Sequence, residues 1–178
     1  MYHLNKNTMK RKTLLFMLLL ALLAPWTAKA QTYTADQAGV IGTGTSAQSC
    51  APIDLYYKSF LNQSIYTADE IGLEGKSATI KTISFQYDYT TSYTSNSFTV
   101  YLGNTTKSSF SSNTDWITTG NMSSVYTGTI TTGSTNGAWV TITLSSTFSY
   151  TGGNLVVCLF DNNCDSYPGT SSSDWREP

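Results

Sequence analysis

Residues 78–102, ATIKTISFQYDYTTSYTSNSFTVYL, carry the clearest structural signal in this chain. Two sets of apolar residues alternate there with polar ones: first Ile83, Phe85, Tyr87 and Tyr89, and then Phe98, Val100 and Leu102. Because successive side chains of a strand point to opposite faces, each set shares one face, and each half is predicted to be a half-buried β-strand. The Ser/Thr/Asn-rich segment between them predicts that the two strands pair as a β-hairpin.

Further strand-like segments follow at residues 125–131, 139–144, 148–150 and 154–160. The last of these is apolar on both faces, which predicts a central strand that is covered on two sides. Together with shorter extended segments before residue 78, they indicate about eight strands separated by turns. The fold class predicted is all-β, an antiparallel β-sandwich or jelly roll. One helical turn is predicted at 67–71, where Thr67 and Glu70 have capping-box spacing and Gly72 follows.

Residues 1–30 are predicted to be a cleaved signal peptide. Basic residues precede an apolar run at 14–24, and Ala28-Lys29-Ala30 has the form of a cleavage site. The apolar run is shorter than the roughly 20 residues that span a bilayer, so export is expected without membrane insertion. Residues 31–51 are predicted to be a flexible leader or an edge strand, and residues 52–178 the β-sandwich module. No closing strand is predicted near residue 178, which indicates a truncated module.

Charge and histidine content exclude several classes of function. Five of the ten basic residues and none of the eleven acidic ones lie before Gln31, so the remaining chain carries a net charge of −6. Such a chain suits neither nucleic acid nor an anionic membrane surface. The one histidine, His3, lies in the predicted signal peptide. The mature chain is therefore expected to lack Ser-His-Asp and Cys-His catalysis and the usual nitrogen ligand of zinc.

The three cysteines leave the disulfide pairing open. Cys158 pairs with Cys164, or Cys50 pairs with Cys164, and one thiol remains in either case. Cys158 lies in an apolar run, where a small buried hydrophobic residue is the simpler interpretation.

A calcium site is the one cofactor that the sequence suggests. Asp161, Asn163 and Asp165 alternate in one loop, a spacing with which oxygen ligands can converge on Ca²⁺. An EF-hand is excluded because positions 166 and 172 are both serine. A polar turn after a strand is the alternative explanation.

Aromatic residues in loops are the candidate ligand-binding residues. Tyr93 and Trp116 are preferred over Tyr89, Trp139 and Trp175 because both are predicted to lie in loops, where flat rings can stack on a sugar or a partner protein. The alternative is that these rings pack in the core or on a sheet. The acidic pair Asp69 and Glu70 could serve a glycosidase only if the two carboxylates faced each other across a cleft, so Glu70 is better explained as a capping residue.

Four segments carry a family resemblance: residues 65–72 (IYTADEIG), residues 100–107 (VYLGNTTK), residues 114–117 (TDWI), and residues 154–157 (NLVV) followed by Asp161-Asn162. Together they resemble β-sandwich modules of secreted and cell-surface proteins from anaerobic Gram-negative bacteria. Those modules are similar to the cleaved-adhesin, jelly-roll domains attached to gingipain-type proteases of the type IX secretion pathway. The resemblance implies a packing module without a catalytic signature.

Three functions are therefore considered, in order of preference. The first is a non-enzymatic, secreted or surface-exposed adhesin-like module that binds a glycan or a host or cell-surface protein through its loops. The second is a structural spacer within a larger surface protein. The third is a small polysaccharide-acting enzyme that uses carboxylates alone.

Overall fold

A computed structural model of the chain describes residues 39–42, 47–48, 52–54, 57, 59–88, 90–163 and 175–176. Within these residues the chain is all-β, as predicted, with one short 3-10 helix, η1 (Thr119–Asn121). The strands are β1 (Ala47–Gln48), β2 (Phe60–Tyr66), β3 (Ala78–Tyr87), β4 (Thr94–Thr105), β5 (Ser123–Thr131), β6 (Ala138–Tyr150), β7 (Asn154–Asp161) and β8 (Trp175–Arg176). The predicted signal peptide lies outside this part, which holds no helix of the length and apolarity that crossing a membrane requires.

The strands form two antiparallel sheets of four strands each. The first sheet has the order β1-β8-β3-β6 and the second has the order β2-β7-β4-β5. Inward-facing residues of both sheets share one hydrophobic core, which includes Val140, Ile142, Leu144 and Phe148 of β6, Phe98, Val100 and Leu102 of β4, and Leu155, Val157 and Leu159 of β7. The described part therefore has the character of a β-sandwich, in which alternate residues of each strand face the core.

Residues 78–102 form the two predicted strands, but these strands do not make a hairpin. β3 pairs with β6, whereas β4 lies between β5 and β7 in the other sheet. The chain passes from one sheet to the other between Tyr87 and Thr94, and the Tyr87 hydroxyl donates to the Thr91 carbonyl (2.7 Å). The hairpin prediction is wrong because a period of two identifies the buried face of a strand and not the neighbour that pairs with its edge.

The later strands match their predictions with one change. β5 covers residues 125–131, and β7 is the predicted central strand, between β2 and β4. Residues 139–144 and 148–150 belong to one continuous strand, β6, whose register against β3 shifts between Ile80 and Thr82. Ile80 is opposite Phe148 and Thr82 is opposite Thr143, so β6 holds extra residues there. The alternation breaks at this bulge although the strand continues.

The turn at residues 67–72 contains the predicted capping box. The Thr67 N–H donates to Glu70 Oε2 (2.7 Å), and the Glu70 N–H donates to Thr67 Oγ1 (3.3 Å). The Ile71 N–H donates to the Thr67 carbonyl (3.1 Å), and Gly72 has a φ of +66°, which ends the turn.

Residues near the end of the chain do form a strand. β8 pairs with β1 and meets β3 at Tyr87. The prediction that the module stops without a closing strand is therefore wrong, because a segment of two residues is too short for alternation to reveal it.

A candidate ligand-binding groove

Residues 106–122 connect β4 to β5 and fold over the outer face of the second sheet; we call them the strap. The side-chain amide of Gln63 on β2 donates to the Ile117 carbonyl (2.6 Å) and accepts from the Ile117 N–H (3.0 Å). Gly103 of β4 lets the end of the strap lie close to the sheet. A Cβ at this position would lie 3.0 Å from Val156 Cγ1 and 3.1 Å from Met122 Cγ. The strap explains why the outward residues of β7 are buried as well as the inward ones.

An ion pair closes the strap on itself. Lys107 Nζ pairs with Asp115 Oδ1, while Asp115 Oδ2 accepts hydrogen bonds from the N–H and the hydroxyl of Ser111, each 2.9 Å long. The hydrogen bond from Lys107, followed by those from Ser111, lowers the pKa of Asp115 to about 2. The carboxylate is therefore charged at neutral pH and is held from two sides.

Two asparagines fix the β6–β7 turn beside the strap. Asn104, near the end of β4, donates to the Ser149 carbonyl (3.3 Å) and accepts from the Thr151 N–H (3.1 Å). Asn154, at the start of β7, donates to the Lys107 carbonyl (2.9 Å). The turn and the strap are therefore held at the same end of the second sheet.

The turn itself presents backbone instead of side chains. Gly152 and Gly153 have φ values of +111° and +76°, which other residues rarely adopt. A Cβ on Gly153 would lie 2.9 Å from the Thr105 carbonyl oxygen, and the Tyr150 hydroxyl donates to the Gly153 carbonyl. The backbone conformation therefore requires glycine at both positions. At position 153 a side chain would also have no room.

An open groove lies between the strap and this turn. Its volume is about 710 Å³, and it is wide open to solvent. Trp116 forms part of its wall and is 48% exposed. The indole Nε1–H donates to the Asn113 carbonyl (3.0 Å), which fixes the ring. The prediction that Trp116 is an exposed loop residue is confirmed, whereas its part in binding remains a prediction.

Three polar residues of the groove have side chains without a hydrogen-bond partner in the part of the chain that the structure describes. Thr106, Thr118 and Asn121 are exposed residues that line the groove, and their side chains make no hydrogen bond to another described residue. Two hydroxyls and an amide supply both donors and acceptors. The groove can therefore offer hydrogen bonds of both kinds beside an aromatic ring.

The segments that carry the family resemblance meet at this end of the molecule. Ala68 donates its N–H to Asn154 Oδ1 (2.9 Å), Asn154 donates to the Lys107 carbonyl, and Lys107 pairs with Asp115. One residue from each of the four segments thus belongs to a single chain of contacts.

Tyr93, the second predicted ligand-binding residue, is not at the surface. It is 8% exposed, and its hydroxyl donates to Asp161 Oδ2 (2.6 Å). Burial, and next the hydrogen bond to Asp161, raise the pKa of Tyr93. This burial contradicts the expectation that Tyr93 exposes its ring to a ligand. Tyr93 lies directly before β4, and its side chain already packs in the core.

Two of the three predicted calcium ligands are engaged in internal hydrogen bonds. Asp161 Oδ1 accepts from the Ser95 hydroxyl (2.6 Å) and from the Asn163 N–H (3.0 Å), and the Asn163 amide donates to the Thr94 carbonyl (3.1 Å). Asp165 lies outside the described residues. Within the described part, no group of three or more His, Cys, Asp and Glu side chains could hold a metal. The calcium site stays a prediction.

Cys158 is a free, buried thiol. Burial raises its pKa, and a hydrogen bond with Gln63 acts in the opposite direction to a smaller extent. The pairing of Cys158 with Cys164 is therefore wrong. The pairing of Cys50 with Cys164 falls outside the described residues and stays a prediction.

Glu70 is occupied by its capping role. Its Oε2 accepts hydrogen bonds from the Thr67 N–H and hydroxyl, and these, the N–H first, lower the pKa of Glu70. A carboxyl group held in the charged form cannot donate a proton to a leaving group near neutral pH, which a glycosidase acid must do.

The other groove residues, from Asn104 to Gly153, were not predicted to bind a ligand, although five of them lie in segments that carry the family resemblance. They are common residue types that come from separate stretches of the chain, so no local pattern indicates that they line one groove. No protein-family model matches the chain, and neither a curated protein nor a solved structure matches it.

Proposed function

We propose that this chain is an exported, non-catalytic binding module, and that it binds glycans in the groove around Trp116. The observation that carries the proposal is the half-exposed indole, fixed at its Nε1 in a groove that is also lined by three polar residues whose side chains lack hydrogen-bond partners among the described residues. An aromatic body with polar groups at its rim is a common composition of binding sites. A sugar ring has the complementary character, with apolar C–H groups on its faces and hydroxyls around its edge.

We further propose that the sandwich is a jelly roll related to the cleaved-adhesin modules. The strand pairing supports this architecture: β1 lies beside β8, β2 beside β7, β3 beside β6, and β4 beside β5. One long hairpin folded over into two sheets has this order, which is that of an eight-stranded jelly roll. The meeting of the four resemblance segments at the groove supports the relationship.

The test is a glycan array probed with the purified protein and with two tryptophan variants. Trp116→Ala should weaken binding at least about tenfold, because losing a central aromatic anchor costs upwards of about 1.4 kcal/mol. Trp139→Ala is the matched control, since Trp139 is 54% exposed and lies outside the groove. It should bind as the wild type does.

Equal binding by wild type and Trp116→Ala would contradict the proposed site. Silence from a protein shown to be folded by circular dichroism would contradict glycan binding itself and favour the spacer role. A parallel array in EDTA tests calcium, because loss of binding there would implicate Asp161, Asn163 and Asp165.

A further inference from the structure

One of the described residues that line the groove is ionisable, and its charge is already balanced. Among the described residues that line the groove, Lys107 is the only one that carries a charge. Its ammonium pairs with Asp115, which Ser111 holds in place through two hydrogen bonds. Because Asp115 is fixed by a second partner, it stays beside Lys107, and the groove wall is close to neutral.

Building on the proposed function, we infer that the groove selects uncharged glycans and that the Lys107–Asp115 pair is the polar anchor for their hydroxyls. An ammonium has three N–H donors. One of them is used by Asp115, so two remain to donate to sugar oxygens. A hydroxyl can accept from Lys107 while it donates to Thr106, Thr118 or Asn121, all of which lack partners among the described residues.

An anionic sugar fits this wall poorly. A carboxylate or sulfate must lose water when it binds, and it gains little from a lysine that another carboxylate already neutralises. The chain after the predicted cleavage site carries a net charge of −6, which also repels anions at long range. The floor at Gly152 and Gly153 adds no side chain that could supply a compensating cation.

The experiment uses pairs of glycans on the array that share one backbone and differ by a single sulfate or sialic acid. The wild type should bind the neutral member of each pair at least about tenfold more strongly. Its binding of neutral glycans should change little between 50 and 500 mM salt, over which the screening length falls from about 14 to about 4 Å. Neither the groove wall nor a neutral glycan carries a net charge that salt could screen.

Asp115→Asn removes the balancing charge while preserving the shape of the side chain. Lys107 then becomes a net cation in the groove, so the preference for neutral glycans should fall at least about tenfold and binding of anionic members should become salt-dependent. Glu74→Gln is the matched control, since Glu74 is exposed, lies outside the groove lining and changes the net charge equally. It should leave the preference unchanged.

Lys107→Gln provides a second variant in case Asp115→Asn disturbs the strap. It should weaken binding of neutral glycans about tenfold and leave the discrimination against anionic ones in place.

Preferential binding of anionic members by the wild type, or an unchanged preference in Asp115→Asn that folds normally, would overturn the inference. Binding of anionic glycans that still requires Trp116 would overturn the inference alone, whereas binding of no glycan would overturn the proposed function.

Discussion

Asp161 is a carboxylate in the interior, 2% exposed, at the end of the central strand β7. Three donors satisfy it: the hydroxyls of Tyr93 and Ser95 and the N–H of Asn163. Burying a charge is costly unless hydrogen bonds replace its water. The cluster of these four residues therefore ties the start of β4 to the end of β7 and depends on every donor.

Tyr93→Phe should destabilise the fold by about 1–3 kcal/mol, because it leaves one oxygen of a buried carboxylate without a donor. Urea unfolding measures the change. Tyr126→Phe is the matched control: its hydroxyl also donates a 2.6 Å hydrogen bond, to the Thr129 carbonyl, but at an exposed site. It should change the free energy of unfolding by less than about 0.5 kcal/mol. Equal effects of the two substitutions would contradict the role assigned to Asp161.

Trp116 shows how much of a candidate site one residue can reveal. A tryptophan between polar residues, in a segment without alternation, predicts a loop aromatic, and the structure confirms its exposure. Tyr93 has the same local sequence character but is buried, because a tertiary partner, Asp161, lies 68 positions away. Local patterns do not contain such partners, so sequence reasoning could not separate the two rings.

The β6–β7 turn is the element that shapes the groove floor. Gly153→Ala should destabilise the protein by at least about 1–2 kcal/mol, the cost of a left-handed conformation for a residue with a Cβ. The 2.9 Å approach to the Thr105 carbonyl adds to this cost. Thermal unfolding reports the loss.

Gly120→Ala in η1 is the control for that substitution. A Cβ there would meet nothing within 4 Å, so stability should stay within about 0.5 kcal/mol of the wild type or rise slightly. If Gly153→Ala were as stable as Gly120→Ala, the turn would not constrain the groove as described.

The strap should keep its ion pair until strongly acidic pH. The pKa of Asp115 is lowered from its ordinary value of 3.8 to about 2 in the folded protein. Because the pKa of Asp115 is lower in the folded protein than in the unfolded chain, the Lys107–Asp115 pair stabilises the fold fully at any pH above the unfolded-state pKa. This contribution is lost as the pH falls towards 2. The Ser111 amide, which donates to Asp115, should therefore titrate with a midpoint near 2 in an NMR pH series. A midpoint near 4, or the same titration in Asp115→Asn, would contradict this account of the strap.

At the scale of the molecule, sequence patterns predicted the all-β class: alternation indicated the buried faces of β3 and β4, and the apolar run at residues 154–160 indicated that β7 is covered on both sides. These patterns did not predict which strands pair. β3 and β4 follow one another in the chain, but they pair with different strands in different sheets. The groove depends on this arrangement: it combines the end of β4, the β6–β7 turn and the strap. Lys107, Trp116 and Gly153 come together only once the two sheets have formed, so no single linear motif contains all three.

The most direct measurement is a ¹⁵N NMR titration of the purified protein with a pool of neutral oligosaccharides. We expect the Trp116 indole signal and the amides of Gly152 and Gly153 to shift together as ligand is added, while the Trp139 indole signal stays in place. Shifts confined to Trp139, or no shift in any of these signals with every oligosaccharide in the pool, would contradict the claim that this groove is a glycan-binding site.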